Sequence, residues 1–351
     1  MTAPAPELRA RLAAGRKWLR HILLRRAGRS GRLRGPAGTG RLIWIRSNGS
    51  RDSVLLGVEL TRAVREHRQD VRIALTFQED HEDLLRDRLR GLERVGLGYG
   101  PADTASAVSR VLRRLNPVGV VIAGGSPPIR LLRSLDRLQC PAMLVNVLTA
   151  AGSATTKSVT HQTDLLPLVT PAQVDTTLRS ALCPDGLLWW LQTEDPLWAR
   201  DCVAAWATSR LARLGVLLVG SGRPRVRVAG LSRLSQWDRT PRPAGETYAV
   251  DELRWLPAVA ASASGVALDE PERFVRWQVL AGGAPACLRG AVDSMFSTVN
   301  TPLELVRHWE QEHDDPGLRR RRGDAGRRLF WAERRRATDE VAGLLDKIYQ
   351  W

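Results

Sequence analysis

The chain has 351 residues, of which 43% are hydrophobic, and its formal net charge is +16. A chain of this length predicts two domains, because a single hydrophobic core stops growing at roughly 250–300 residues. The four cysteines are widely spaced without a CxxC pair, and the six histidines lack ligand spacing, which argues against a zinc site and a disulfide framework. This cysteine usage favours a reducing, cytoplasmic compartment.

The positive charge is concentrated at the N-terminus, where residues 1–40 hold ten Lys and Arg residues and one acid. Five apolar residues recur there at helical spacing on one face, namely Leu8, Leu12, Leu19, Ile22 and Leu23. No run approaches the roughly 20 apolar residues that span a bilayer, and no signal peptide is expected. The pattern predicts a basic amphipathic helix in an anionic membrane surface, with a helix packed on its own domain as the alternative. Gly-rich residues 28–40 predict a flexible linker.

From residue 42 the chain alternates between apolar strand-like runs and helical segments. Strands are predicted at 42–46, 71–77, 94–98, 117–123 and 142–147, and helices at 53–66, 80–91, 103–115 and 128–138. The runs are apolar on both faces, as parallel strands covered by helices are. Residues 41–165 therefore form a predicted Rossmann-like domain.

A weakly patterned stretch, residues 148–170, predicts the connection to a second domain, which extends over 166–351. Its predicted strands are 187–191, 214–219, 225–228, 246–250, 261–267 and 285–288, and its predicted helices are 196–212, 251–259, 271–281, 299–312 and about 318–349. Two doubly wound α/β domains with a cleft between them make the GT-B fold, which we predict for this chain.

Common signatures of nucleotide chemistry are missing from this scaffold. No GxGxxG follows the first strand, and neither GxxxxGK[ST] nor GxSxG occurs, which argues against dinucleotide binding, P-loop NTPases and serine hydrolases. The first strand ends in a polar loop, residues 46–52, where an α/β fold holds its ligand. Asp52 is the nearest carboxylate and could act as a general base. The alternative is that Asp52 or Ser53 only caps the following helix.

Residues 42–147 resemble the N-terminal domain of the bacterial lipid A 3-deoxy-D-manno-octulosonic acid (Kdo) transferases. "RLIWIRSNGSRDSV" is similar to that family's IWIHA-x-SxGE-V opening, and "VRIALTF" resembles its second strand. "NPVGVVIAGGSPPIRLLRSLDRLQCPAMLVNV" follows its fourth and fifth strands. In the second half, "DELRWLPAVAASASGVAL" and "LAGGAPACL" are similar to the family's D-x-x-GEL-x-x-LY-x-x-A and LG-x-PV segments.

The chain departs from the family at several polar positions. Asp52 stands where the family has its catalytic glutamate, and residues 124–126 (GGS) replace its E-T-E triplet. Its HNPLEP donor motif is matched only by residues 272–277 (ERFVRW), its P-R-H-P loop by 222–224 (GRP), and its S-T-H by 193–195 (TED). Such a chain has either changed its donor or lost catalysis.

The resemblance implies an inverting glycosyltransferase of lipopolysaccharide and cell-envelope synthesis. It would move a sugar acid from a CMP-activated donor to an anionic lipid or lipid A-type acceptor, peripherally bound at the cytoplasmic face of the bacterial inner membrane. No metal or other cofactor is expected. Asp52 would be the base. The acceptor would contact Arg46, Ser47, Asn48 and Arg51, and the donor would contact Thr193, Glu194, Arg223, Asp251 and Glu252.

Two other functions compete with this one. A catalytically inactive relative could use the same fold as a binding or scaffold protein, as the altered motifs suggest. Nucleic-acid binding is not expected, because the excess charge lies in a terminal helix rather than in a groove with interleaved aromatic residues.

Overall fold

A computed structural model describes residues 22–79, 85, 88–147, 158–161, 164–170, 177–220, 231–252, 255–271, 273–290 and 296–351, with the side chains of 158–161 excepted. The chain divides into two compact units. The first comprises Met1–Leu165 with Ala337–Trp351, and the second comprises Leu166–Arg336.

The first unit contains one sheet in its described residues, with helices between the strands. Its elements are helix 22–29 (α1), β1 Leu42–Ser47, α2 Arg51–His67, β2 Arg72–Phe77, β3 Val95–Tyr99, α3 Ala105–Leu115, β4 Gly119–Gly125, α4 Ile129–Arg137, β5 Ala142–Val147 and β6 Ser158–His161. The strand order is β3-β2-β1-β4-β5-β6, and every pair is parallel. This is the Rossmann order, in which β1 lies between β2 and β4, and all six residues of β1 are buried.

The second unit repeats this plan with a different strand order. Its elements are α5 Leu166–Val169, α6 Thr177–Leu182, β7 Leu187–Gln192, α7 Pro196–Thr208, a 3-10 helix Arg210–Arg213, β8 Gly215–Val219, β9 Ser232–Arg233, a 3-10 helix Leu234–Gln236, β10 Thr247–Ala249, α8 Leu256–Ser262, β11 Gly265–Leu268, α9 Arg273–Gly282, β12 Ala286–Arg289, β13 Ser297–Val299, α10 Pro302–Asp314 and α11 Pro316–Tyr349. The parallel strands follow the order β13-β12-β11-β7-β8-β10-β9.

Tryptophans fill the interior of both sheets. Trp44 on β1 is fully buried and donates its Nε1 proton to Thr76 Oγ1 at 2.9 Å. In the second unit the Trp189 ring lies 6.3 Å from Trp206 and 6.5 Å from Trp309, between ring centroids. Aromatic pairs of this kind add about 0.5–1.5 kcal/mol each beyond the burial of their area.

The prediction of two doubly wound α/β domains is confirmed, with local differences. Strands β6, β9 and β13 are additional, and predicted strand 225–228 lies outside the described residues. The predicted helix 251–259 begins only at Leu256, because β10 extends to Ala249 and residues 250–252 form the connection that follows it. The predicted strand 261–267 begins at Gly265, because Ala261 and Ser262 belong to the end of α8.

Residues 28–40, predicted as a flexible linker, instead pack on the first unit. Gly28, Gly31, Leu33 and Pro36 are buried. A Cβ on Gly28 would lie 2.3 Å from the Tyr99 carbonyl oxygen, so only glycine allows the chain to approach β3 this closely. Most of the predicted amphipathic helix lies outside the described residues; its last part is α1.

The C-terminal end of α11 belongs to the first unit, whereas the prediction assigned all of 166–351 to the second domain. Arg41 donates to the Trp351 carbonyl oxygen at 2.8 Å. The Trp351 ring covers Gly119, where a Cβ would lie 2.0 Å from the ring. The Arg68 guanidinium lies 5.6 Å from the Tyr349 ring centroid. These contacts attach the end of the chain to the amino ends of β1 and β4.

Candidate functional site

Open parallel sheets bind ligands beyond the carboxyl ends of their strands, at the point where the strand order reverses. In the first unit this point lies between β1 and β4, and in the second it lies between β7 and β11. Each unit therefore has one edge at which functional side chains are expected.

In the first unit, the loop from β1 enters α2 beside β4. Ser50 is the N-cap of α2, because its side chain accepts a hydrogen bond from Ser53 N at 3.3 Å. The capping alternative that assigned this role to Asp52 or Ser53 is therefore wrong. Ser53 Oγ instead accepts from Asn48 N at 2.5 Å and donates to the Ala123 carbonyl oxygen of β4. These bonds fix the loop against the switch point.

Asp52 lies in the first turn of α2, and its side chain is partly exposed. Its carboxylate is at the carboxyl edge of the sheet, as expected for a general base. A carboxylate in this position also interacts favourably with the helix dipole, by about 0.3–1 kcal/mol. The position therefore suits a general base and also a carboxylate that stabilises the start of α2.

Two consecutive glycines end β4 and shape the floor of this edge. Gly124 has φ +69° and Gly125 has φ +71°. A Cβ on Gly125 would lie 1.7 Å from Asn48 Nδ2, and one on Gly124 would lie 2.8 Å from Ser53 Cβ. The Asn48 side chain thus occupies the space that a side chain at residue 125 would need. The acidic triplet of the resembling family does not fit this backbone.

The two predicted acceptor arginines are largely withdrawn from solvent. Arg46 is 5% exposed and Arg51 is 8% exposed. Arg46 Nη2 donates to the Pro101 carbonyl oxygen at 3.4 Å. Burial lowers the pKa of Arg46, and the charge of Asp103 opposes that shift. The arginines supply positive charge beneath the edge rather than an exposed surface for a large ligand.

Ser47 was predicted to contact an acceptor, and the structure does not support this. Its side chain is 0% exposed and lies under α2, where a Cβ on Gly57 would come within 2.0 Å of Ser47 Oγ. Successive side chains of a strand point to opposite faces of the sheet, and that of Ser47 points to the face covered by α2. Its role is close packing of helix on strand.

Glu79 is a carboxylate of this edge that sequence reasoning missed. It follows β2 by two residues and is exposed. A Cβ on Gly49 would lie 3.2 Å from Glu79 Cγ and 3.5 Å from Oε1. Its position just beyond a predicted strand was the signal that could have found it. Asp52 and Glu79 are thus two candidate bases beside one loop.

In the second unit, four polar side chains meet at the carboxyl edge. Thr193 Oγ1 donates to Asp269 Oδ2 at 2.6 Å and accepts from Asp195 N at 3.0 Å. Arg289 Nη1 donates to Asp195 Oδ2 at 3.0 Å and to Asp269 Oδ2 at 3.1 Å. Thr193 and Asp195 follow β7, Asp269 follows β11 and Arg289 ends β12, so the network joins three neighbouring strands.

A tryptophan completes this network. The Arg289 guanidinium carbon lies 4.3 Å from the Trp198 ring centroid, and Trp198 is on α7, which Asp195 caps. The hydrogen bond from Arg289 holds the pKa of the Asp195 carboxyl below its usual value, with help from the Trp198 backbone N–H. Asp269 and Arg289 were missed by sequence reasoning, although each stands at a predicted strand end.

The other predicted donor residues take no part in the hydrogen bonds described for this network. Glu194 lies between Thr193 and Asp195 at the same edge. Asp251 accepts from Ser235 N at 3.1 Å and from Ser235 Oγ, so it ties the segment after β9 to the end of β10. The prediction placed Asp251 and Glu252 at the start of a helix, but they precede α8 by several residues. Arg223 lies outside the described residues.

The segments matched to family motifs have different settings. Residues 273–277 of the ERFVRW stretch are part of α9, and residues 222–224 lie outside the described part of the chain. Among the described residues, no group of three or more His, Cys, Asp or Glu side chains is arranged to hold a metal ion.

Comparison with known proteins agrees with this architecture. Residues 22–184 match the family model of the 3-deoxy-D-manno-octulosonic-acid transferases (Kdo transferases). No curated protein matches the sequence significantly.

Solved structures with the same fold cover most of the chain. It is similar to UDP-GlcNAc 2-epimerase from Neisseria meningitidis bound to UDP-GlcNAc, with TM-score 0.58, 11% identity, and coverage of 87% of this chain and 100% of that one. It is also similar to HepE from Anabaena in complex with UDP and glucose, with TM-score 0.56, 10% identity, and coverage of 88% of this chain and 100% of that one. A third similar structure is MurG from Acinetobacter baumannii, with TM-score 0.50, 12% identity, and coverage of 88% of this chain and 100% of that one. The chain therefore has the GT-B fold, and residues 22–184, a little under half of it, match the model of the Kdo transferase family.

Proposed function

We propose that the chain is a Kdo-transferase-like glycosyltransferase that moves a sugar acid from a CMP-activated donor to a lipid-linked acceptor at the membrane surface. The family domain and the GT-B fold support a glycosyltransferase as the general class. The observation that carries the finer proposal is the position of Asp52. It lies in the first turn of α2, at the carboxyl edge and switch point of the unit that matches the family.

The chemistry at this edge follows from the position of the carboxylate. In an inverting transfer, the acceptor hydroxyl oxygen forms a bond to the anomeric carbon while the bond from that carbon to the CMP phosphate oxygen breaks. CMP leaves with the electron pair, and the hydroxyl proton passes to the Asp52 carboxylate. A positioned general base contributes about 10²–10⁴-fold to such a step. The N-cap by Ser50 and the bonds of Ser53 hold the loop in place for it.

A lipid acceptor and a peripheral membrane position are supported by α1 and its surroundings. Ile22, Leu23 and Leu24 are 40%, 65% and 55% exposed, an unusual apolar surface for a short helix. Next to it lies a cavity of about 600 Å³ with apolar walls and three arginines, lined among others by Leu24, Arg32, Arg34, Leu97 and Arg114. Apolar side chains flanked by arginines suit an anionic lipid surface. No helix in the described part of the chain is both long and apolar enough to cross a bilayer.

The charges at the second unit's edge bear on the donor. Two structural relatives were solved with UDP or a UDP-sugar, which carry two phosphate groups. Here the edge holds Glu194, Asp195, Asp269 and Glu270, and Arg289 is already paired with two of these carboxylates. A diphosphate places two negative charges on adjacent phosphoryl groups, whereas a CMP-linked sugar acid divides its two charges between a phosphodiester and the sugar carboxylate, so repulsion at the phosphate is smaller for the CMP-linked donor. This supports a CMP-linked donor.

A transfer assay tests the proposal. Full-length protein is incubated with CMP-Kdo and a lipid A precursor in detergent, and product is detected by mass spectrometry. Asp52→Asn should lower the rate about 10²-fold or more at unchanged donor affinity. Glu79→Gln tests the second carboxylate, and Asp70→Asn is a matched control, because Asp70 precedes β2 at the opposite edge of the sheet. A loss with Glu79→Gln but not with Asp52→Asn would overturn the role of Asp52.

One observation favours an inactive relative as the second candidate. Arg289, the cation at the second unit's edge, is held by Asp195 and Asp269 and stacked on Trp198, so it is committed to internal contacts. A protein that binds lipid vesicles but neither transfers sugar nor binds a nucleotide would fit this candidate and contradict the transferase.

A further inference from the structure

A second cavity lies at the other end of the second unit's sheet. It has a volume of about 460 Å³ and is formed by α6, the residues that lead into β11 and β12, and the first turns of α11. Its polar lining includes Arg179, Ser180, Ser264, Arg319, Arg320 and Arg327. Ser264 immediately precedes β11, so this is the amino edge of the sheet, opposite the edge with Thr193 and Arg289.

The cavity is strongly cationic. Four guanidinium groups line it, and none of its lining residues is acidic. Arg327 is paired with Asp324 at 2.6 Å, whereas no carboxylate of the described residues lies within 4.0 Å of the guanidinium of Arg179, Arg319 or Arg320. Two other arginines of the same helix, by contrast, form ion pairs. Arg322 pairs with Glu312 at 2.8 Å, and Arg336 pairs with Glu333 at 2.9 Å. Three of the four guanidinium groups at the cavity are therefore without a carboxylate partner among the described residues.

The walls of the cavity are built by close backbone packing. Gly283, with φ +70°, leaves room for the Arg327 guanidinium, since a Cβ there would lie 2.4 Å from Nη1. A Cβ on Gly323 would lie 2.1 Å from the Gly283 carbonyl oxygen, so α11 approaches this turn as closely as glycine permits. Arg327 Nη1 also donates to the Gly282 carbonyl oxygen at 3.4 Å. The backbone of α11 is thereby held close to the turn between α9 and β12, with the Arg327 guanidinium against that turn.

We propose that this cavity is a binding site for a phosphoryl group, separate from the catalytic edges. Guanidinium groups bind phosphate oxygens through paired N–H donors, and the hydroxyls of Ser180 and Ser264 can add further hydrogen bonds. Three uncompensated positive charges match a phosphate monoester or a diphosphate. The concave shape and small volume suit a single headgroup or free anion, and the lining lacks the aromatic side chains on which nucleic-acid bases stack.

Calorimetry with the full-length protein tests this proposal, with inorganic pyrophosphate as the probe. The double variant Arg319→Gln/Arg320→Gln should weaken pyrophosphate binding about tenfold or more. The matched control is Arg321→Gln/Arg328→Gln, which removes the same charge from the same helix at residues outside the cavity; it should change binding by about twofold or less. Circular dichroism of each variant verifies that the fold is kept. Equal weakening by both variants, or no binding by the wild type, would overturn the site.

A vesicle assay then separates the two sources of the phosphoryl group. Phosphatidylcholine vesicles with and without phosphatidic acid are sedimented with the wild type and with both double variants. Binding that needs phosphatidic acid, is displaced by pyrophosphate and is lost only in Arg319→Gln/Arg320→Gln identifies a lipid headgroup as the ligand. Vesicle binding that is equal in all three proteins, together with pyrophosphate binding at the cavity, identifies a soluble phosphate ester.

Discussion

Replacing Gly125 by alanine tests how tightly the floor of the first unit's edge is packed. The residue has φ +71°, which costs an alanine about 1–2 kcal/mol. The new methyl group would lie 1.7 Å from Asn48 Nδ2 and 2.6 Å from Asn48 Cγ, so the Asn48 side chain must leave its position. A side chain moved off its rotamer costs about 0.5–1.5 kcal/mol more. We expect a total loss of about 1.5–3.5 kcal/mol in the free energy of unfolding of the first unit.

Gly91→Ala is the matched control for this prediction. Gly91 has φ +82°, and a Cβ there would meet nothing within 4 Å, so only the backbone term remains. The smaller unfolded-state entropy of alanine applies equally to both variants. Hydrogen exchange of peptides from β1 and β4, measured by mass spectrometry at increasing urea concentration, reports the stability of this unit alone. If the two variants differ by less than about 0.5 kcal/mol, the close packing of Asn48 on Gly125 is refuted.

Three further predictions concern other parts of the chain. Arg289→Met should destabilise the second unit at pH 7, because Asp195 and Asp269 then face each other without a cation. Since Arg289 lowers the pKa of Asp195, the stabilisation is fully present above the unfolded pKa of about 3.9 and is lost as pH falls through the lower folded pKa, so a destabilisation in urea that stays equal from about pH 7 to about pH 2 would contradict the pairing. Burial raises the pKa of Cys140 to about 11, so its alkylation rate should keep rising from pH 8 to pH 10; a plateau near pH 9 would contradict this. Deleting Trp351 should cost the first unit about 1–2 kcal/mol by uncovering β4, measured by the same exchange experiment, and unchanged protection of β4 would count against that contact.

Much of the fold could be predicted from local sequence patterns. Runs such as 42–46 and 214–219 are apolar on both faces and become central strands, because a parallel strand covered by helices cannot alternate. Short edge strands were missed, since Ser232–Arg233 and Ser297–Val299 are too brief and too polar to stand out. The linker prediction for 28–40 failed because glycine marks both flexibility and close backbone approach, and only tertiary contacts distinguish the two.

The candidate site was predicted less well than the fold. Asp52 follows directly from its position after the first strand, whereas the network around Arg289 depends on three strand ends that are far apart in sequence and adjacent only in the sheet. Asp269 and Arg289 were visible as polar residues at strand ends, but their pairing could not be known without the strand order. The burial of Ser47 follows from the side of β1 on which it lies, a register that the loop sequence does not specify.

We propose that this GT-B protein uses a CMP-linked sugar donor, and calorimetry with CMP and UDP tests that proposal. The measurement should use both the wild type and Arg319→Gln/Arg320→Gln, so that binding at the cationic cavity is separated from binding at the catalytic edge. We expect CMP to bind more tightly than UDP, and we expect the cavity variant to retain this preference. Tighter binding of UDP, or no nucleotide binding in either protein, would contradict it.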